Sequence, residues 1–178
     1  MGHKYDKVEL LEGALQTALD GGLSQLTFGR LATRLGISDR MVVYYFPTKD
    51  DLIREVLFSM GLRLQETLAP AFAEPAGDHV SLVATAWPML AKPSADAIFA
   101  LFFEAMGLAA SGRDPYVTLV PELVEAYIQW AASFLGGPPS RRRSEAEAAI
   151  ALLDGLLLLR QLAGPAAANR AAKTLGVG

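Results

Sequence analysis

Residues 27–49 read TFGRLATRLGISDRMVVYYFPTK, and they divide into two short helices joined by a tight turn. Leu31, Ala32 and Leu35 recur at the spacing of one helical face, and Gly36 stands where a helix C-terminus favours a left-handed backbone. The first helix therefore ends at Leu35. Ile37 plugs the turn, and Ser38 is placed to accept from the free amides of a new helix. Val42 and Tyr45 give that helix its inner face. It lasts about two turns, because Pro47 disfavours helical geometry at Phe46.

This spacing is that of a helix-turn-helix: small Ala32 at the crossing, Gly36 in the turn, Val42 docking the second helix. Such a unit presents the outer residues of its second helix to the DNA major groove. Here those residues are Asp39, Arg40, Met41, Val43 and Tyr44. A short helical hairpin inside a bundle produces similar spacing, so the surrounding residues matter.

From Thr27 through Gly36-Ile37-Ser38 to Tyr44-Tyr45-Phe46-Pro47-Thr48-Lys49-Asp50-Asp51-Leu52, the chain resembles the N-terminal domain of the TetR (tetracycline repressor) family of bacterial transcriptional regulators. The family pattern is a Thr, an Ile/Leu-Ala pair, Gly-Val-Ser, and a short recognition helix ending in an aromatic or His pair plus Phe. A Ser/Thr-Lys-Glu/Asp sequence follows. The likeness covers roughly residues 7 to 60. It implies an all-α fold with a three-helix DNA-binding head, a helical body that dimerises, and a palindromic operator. It also implies that a small molecule releases a repressor from that operator, and that Lys49 meets a DNA phosphate. Three positions depart from the pattern: Asp39 where a phosphate-friendly residue is common, Arg40 for a small residue, and Val43 for a frequent Tyr.

The whole chain has 178 residues and a net charge of -3, which argues against a protein that coats nucleic acid without selectivity. Between Thr27 and Lys49, however, Arg30, Arg34, Arg40 and Lys49 face only Asp39, so the basic character is local. There is no cysteine, hence no disulfide framework, which fits a reducing cytoplasm. Lys4, Asp6, Lys7 and Glu9 break up the N-terminus, and no export signal is read there. The apolar run Ala148 to Leu159 contains Asp154 and falls short of the roughly 20 residues a membrane span requires. It is expected to be a buried helix, and no membrane partner is expected.

In chain order, a first helix at Lys7–Asp20 stops at Gly21-Gly22. Thr27 caps the next helix, where amides and the dipole also attract a phosphate. Thr48 and Asp51 form a capping box that opens a long linking helix to about Ala69. A tilt of this helix changes the separation of two recognition helices in a dimer, and operator half-sites tolerate little change in spacing. The expected division is 1–48 for the DNA-binding domain, about 48–69 for the link, and 70–178 for ligand binding and dimerisation. Helices are expected near Val80–Leu90, kinked at Pro88; Ser94–Ala110, capped by Ser94; Pro115–Leu135, restarting at Pro121; and Ser144–Ala163. Arg141-Arg142-Arg143 reads as a solvated loop.

The last helix is apolar nearly all round, so a second surface must cover it. Leu123, Tyr127, Ile128, Leu135, Ile150, Leu153, Leu156 and Leu157 are the candidate dimer contacts. Trp87, Phe99, Phe102, Phe103, Met106, Tyr127 and Trp130 concentrate large side chains, which serve either as packed core or as the lining of the pocket the resemblance implies. Glu104, Gln129, Gln161, His79 and Tyr127 are the few polar groups available there. The effector is accordingly expected to be apolar or aromatic.

Neither catalysis, a cofactor nor a metal is expected. His3 and His79 are the only histidines, and no Gly-rich phosphate loop, nucleophile elbow or metal-ligand spacing occurs. Two functions stay open. In the first, Thr27, Ser38, Tyr44, Tyr45 and Lys49 position the DNA backbone while Asp39, Arg40, Met41 and Val43 address base edges. In the second, the chain is a helical interaction protein of the same fold that has lost specific DNA binding.

Overall fold

The computed structural model describes residues 6–178, so His3 and Lys4 lie outside the described residues. Among these residues the chain is all-α. In order come α1 (Lys7–Gly21), α2 (Phe28–Leu35), α3 (Asp39–Tyr45), α4 (Lys49–Leu68), α5 (His79–Leu90), α6 (Pro93–Ala110), α7 (Tyr116–Ala132), α8 (Pro139–Ala163) and α9 (Pro165–Thr174). Short 3-10 turns occupy Leu23–Gln25 and Ala69–Ala71. One compact unit comprises the chain up to Arg63 with Leu101–Val120; the other comprises Leu64–Ala100 with Pro121–Gly178.

In the first unit, α1 opens with a reciprocal capping box between Asp6 and Glu9. Its inner face, Leu10, Ala14, Leu15 and Ala18, joins Leu31, Ala32, Val42, Phe46, Leu52, Ile53 and Val56 in a core closed to solvent. Gly13 permits the close approach of α1 and α2: a Cβ there would lie 2.8 Å from Leu35 Cδ2. Polar bridges tie α1 to α4 at the surface, with Lys7 Nζ donating to Glu55 at 2.5 Å and Arg63 pairing with Glu12.

In the second unit, Asp78 caps α5 by accepting from the Ser81 amide at 2.8 Å. Glu145 of α8 accepts both the His79 backbone amide at 2.9 Å and its ring Nδ1 at 2.6 Å. Arg160 is buried and meets Asp96 through two bonds, of 2.6 and 3.0 Å, fixing α8 against the start of α6. Arg160 is the buried partner while Asp96 stays partly exposed, and the two-point geometry helps offset the desolvation of the guanidinium. Ala76 and Gly136 clamp the ends of two loops, the Ala76 amide donating to Phe134 O at 2.8 Å and the Gly136 amide to Ala76 O at 3.1 Å.

Several boundaries differ from the sequence expectations. Ser94 is not a cap, because α6 starts at Pro93, whose missing amide suits the first helical position. Pro121 does not restart α7; the helix runs through it, since Val117 and Pro121 are both exposed and water can serve the carbonyl the ring leaves free. The three arginines are not a loop. They lie in the first turns of α8, where Arg143 pairs with Glu125 at 2.7 Å and with Glu147 at 2.9 Å. Pro139 at the helix start moves the boundary ahead of Ser144. Alanine-rich α9 was not anticipated at all. Nor was the composition of α6, whose 18 residues make it long and apolar enough to cross a bilayer by length and composition alone. Its two carboxylates, Asp96 and Glu104, are both engaged with protein donors.

Candidate nucleic-acid interface

Local bonding builds the interface from α2 onward. The Thr27 hydroxyl accepts from the Arg30 amide at 3.3 Å, capping α2 while leaving Thr27 half-buried at the surface. Gly36 ends α2 with φ +66°, the Ile37 amide donating to Ala32 O at 3.0 Å and the Gly36 amide to Thr33 O at 3.3 Å. This is a Schellman stop, and it accounts for the sharp reversal before α3. Ser38 precedes α3 in an extended conformation, but its hydroxyl makes no cap hydrogen bond, in contrast to the expectation.

Val42 and Phe46 are fully buried and anchor α3. The inner face is therefore Val42 with Phe46, the residue that ends the helix, while Tyr45 is only half-buried. The outer face carries Asp39, Arg40, Met41, Val43 and Tyr44, all exposed, with Tyr44 at 80 % the most open of the exposed large hydrophobics. The Tyr45 ring meets the Tyr44 ring edge-on at 5.1 Å, which supports Tyr44 in its outward position.

Beyond Pro47, the Asp51 carboxylate accepts the Thr48 amide at 3.0 Å and its hydroxyl at 2.7 Å, and the Asp51 amide donates back to Thr48 Oγ1 at 3.0 Å. That reciprocal cap fixes the start of α4 and leaves Lys49 exposed in its first turn. Among the described residues Arg30, Arg40 and Lys49 have no carboxylate partner. Arg34 does: it pairs with Asp20 at 2.5 Å. Arg30, Arg40 and Lys49, exposed cations without a protein anion carried on α2, α3 and the first turn of α4, are the kind of groups that take phosphates. An open groove of about 470 Å³ is lined by Thr17, Asp20, Gly29, Arg30, Thr33 and Arg34. Among the described residues no aromatic side chain lines that groove.

The candidate pocket residues are not gathered in one unit. Phe102, Phe103 and Met106 belong to the first; Trp87, Phe99, Tyr127 and Trp130 belong to the second. Trp87, Phe99 and Phe102 are buried core, whereas Trp130 packs edge-on against Phe72 and Phe134. Polar candidates are engaged with protein partners: Glu104 on backbone amides, Gln129 on Glu125, Gln161 on Asp96 O and His79 on Glu145. Tyr127 is pushed up to about 12 by burial and then by the charge of Asp154. Burial alone holds Asp154 at about 6, well above the ordinary aspartate value. Sequence reasoning noticed Asp154 only as a break in an apolar run; a lone carboxylate inside such a run was the available signal.

Of the candidate dimer contacts, Leu123, Leu135, Leu156 and Leu157 are buried within the chain itself. Tyr127, Ile128, Ile150 and Leu153 are half-buried. The open face of α8 is instead Ala151, Gly155, Leu158 and Leu162, with Leu158 exposed to 42 % and Leu162 to 79 %. At 100° per residue these four fall within about 60° of one another, opposite the buried face.

Residues 10–56 match the profile of a family described as bacterial regulatory proteins, tetR family. Over 165 residues the chain is 28% identical to the HTH-type transcriptional regulator BetI of Burkholderia thailandensis, covering 89% of this chain and 83% of that protein. The fold is similar to a transcriptional regulator from Rhodococcus sp. Rha1, with a TM-score of 0.72 at 20% identity over 93% of this chain and 91% of the other. It is also similar to the multidrug binding protein EbrR. The imidazole complex of that protein gives a TM-score of 0.68 at 19% identity, covering 97% of this chain and 96% of EbrR. Its proflavin complex gives 0.65 at 21% identity, with coverage of 93% and 96%.

Proposed function

We propose that this chain, whose residues 10–56 match the tetR family profile, is a transcriptional regulator that acts as a homodimeric repressor with a palindromic operator. The observation that carries this reading is α3, anchored by Val42 and Phe46 so that Arg40, Met41, Val43 and Tyr44 all face outward. In this reading residues 1–48 are the DNA-binding domain, the helix over about 48–69 is the link, and 70–178 provide ligand binding and dimerisation. Arg40 reads a guanine through two bonds, and Met41 and Val43 touch thymine methyls. Asp39 accepts from cytosine N4. Thr27, Ser38, Tyr44, Tyr45 and Lys49 position the backbone.

Two copies meet through α7 and α8, with Leu158 and Leu162 added to Tyr127, Ile128, Ile150 and Leu153 as the contacts that remain open. Release is driven by a small apolar or aromatic effector. The likeness to a multidrug binding protein solved with imidazole and with proflavin supports that class. Footprinting on the DNA flanking its own gene tests the proposal. Arg40→Ala is expected to cost about 1 to 3 kcal/mol of discrimination at one base pair. Protection that survives this change unaltered refutes the base-reading role, and the absence of protection on any duplex favours the interaction-protein reading. A thermal-shift screen with aromatic compounds tests the effector; no stabilising compound would count against it.

A further inference from the structure

Glu104 of α6 reaches across the first unit to the turn between α1 and α2. Its Oε2 accepts the Leu23 amide at 2.9 Å and its Oε1 accepts the Ser24 amide at 3.3 Å. These are the first amides of the 3-10 turn Leu23–Gln25, which have no acceptor within their own turn. A carboxylate that takes both makes charge-assisted bonds, stronger than neutral ones. A glycine stands beside the carboxylate, called for by its positive φ. Gly22 has φ +84°, and a Cβ there would lie 2.9 Å from Glu104 Oε2.

The turn so held leads straight into the interface. Leu23 and Leu26 are fully buried on either side of it, and Leu26 is followed by Thr27, the cap of α2. Two leucines fix the turn from within, and Glu104 fixes its outer amides. The direction in which Thr27 and the α2 N-terminus point then depends on a residue some eighty positions away in sequence.

We propose that Glu104 is a positioning residue for DNA binding, which sets the α1–α2 turn and thereby the phosphate contact at the N-terminus of α2. The inference rests on the regulator reading above. Two measurements test it on the full chain. Amide exchange of Leu23, Ser24 and the first turn of α2 is expected to accelerate in Glu104→Ala, and less in Glu104→Gln, which keeps one acceptor. Equal exchange in wild type and Glu104→Ala overturns the proposal.

The second measurement is binding to a fluorescent duplex of the DNA flanking its own gene, across a range of salt concentrations. Loss of one phosphate contact lowers the slope of log affinity against log salt by about 0.9, which amounts to about fivefold at 0.15 M salt. Glu104→Ala is expected to show that drop, and Thr27→Ala is expected to add little to it. A purely structural role lowers the melting temperature and leaves the slope unchanged. Wild-type binding with an unchanged slope in Glu104→Ala overturns this inference alone. A wild-type chain that binds no duplex overturns the regulator reading, and this inference with it.

Discussion

Asp154→Asn replaces a carboxylate with an amide of the same shape on α8, where burial holds the acid at about 6 against an ordinary value of 3.8. A shift of about two units corresponds to about 3 kcal/mol at 1.36 kcal/mol per unit. Asp154 keeps some contact with solvent, so about 2 kcal/mol is the better figure. The raised value means that the folded protein binds this proton more tightly than the unfolded chain does. Its contribution to stability is therefore fully present below the ordinary value and is lost as the pH rises through about 6. Asparagine has no such dependence. The variant should match wild type near pH 4 and exceed it at pH 8, by about 4 to 8 °C in melting temperature for a chain of this size. Melts at both pH values and one fixed protein concentration check this, since the proposed dimerisation would make melting concentration-dependent. An equal difference at the two pH values, or a larger gain in acid, refutes the account of Asp154 as a carboxylate burdened by burial.

Lys49→Ala should weaken binding to every duplex alike and lower the salt slope by about 0.9, because its proposed partner is a phosphate rather than a base; fluorescence anisotropy at several salt concentrations reads both effects. Gly36→Ala should destabilise the fold by about 1 to 2 kcal/mol in urea unfolding, with Gly36→Asn milder. The cause is the positive φ of +66° rather than a clash, since nothing lies within 4 Å of the added Cβ. Leu158→Glu should convert the proposed dimer to a monomer in sedimentation with the helical content unchanged, because Leu158 is exposed on the single chain. A dimer that persists unchanged would move the interface away from the open face of α8.

The candidate interface was the more legible part of the chain because its structure is made by near neighbours. The Thr27 cap, the Gly36 stop and the Thr48–Asp51 box close within three to five residues, so their geometry is written in adjacent letters. Ser38 shows the limit of that reading: the residue type suits a cap, yet its hydroxyl makes no cap bond. The pocket and dimer residues were less legible, because side-chain type does not tell whether Leu156 or Leu158 faces the protein. Both are leucines on one helix, and only tertiary packing turns the first inward and leaves the second open.

Composition, helical periodicity and the local stops of residues 27–49 by themselves determined an all-α chain with a helix-turn-helix and a locally basic outer face. Tertiary structure alone decided that Glu104 holds the amides of Leu23 and Ser24, that Gly13 admits Leu35, and that Arg160 meets Asp96 inside the second unit. The physical reason is the range of the forces that each depends on. A helix cap or a glycine turn is settled by bonds a few residues long, whereas a carboxylate chooses among all the donors that folding brings within 3 Å, and the order of the letters does not rank them.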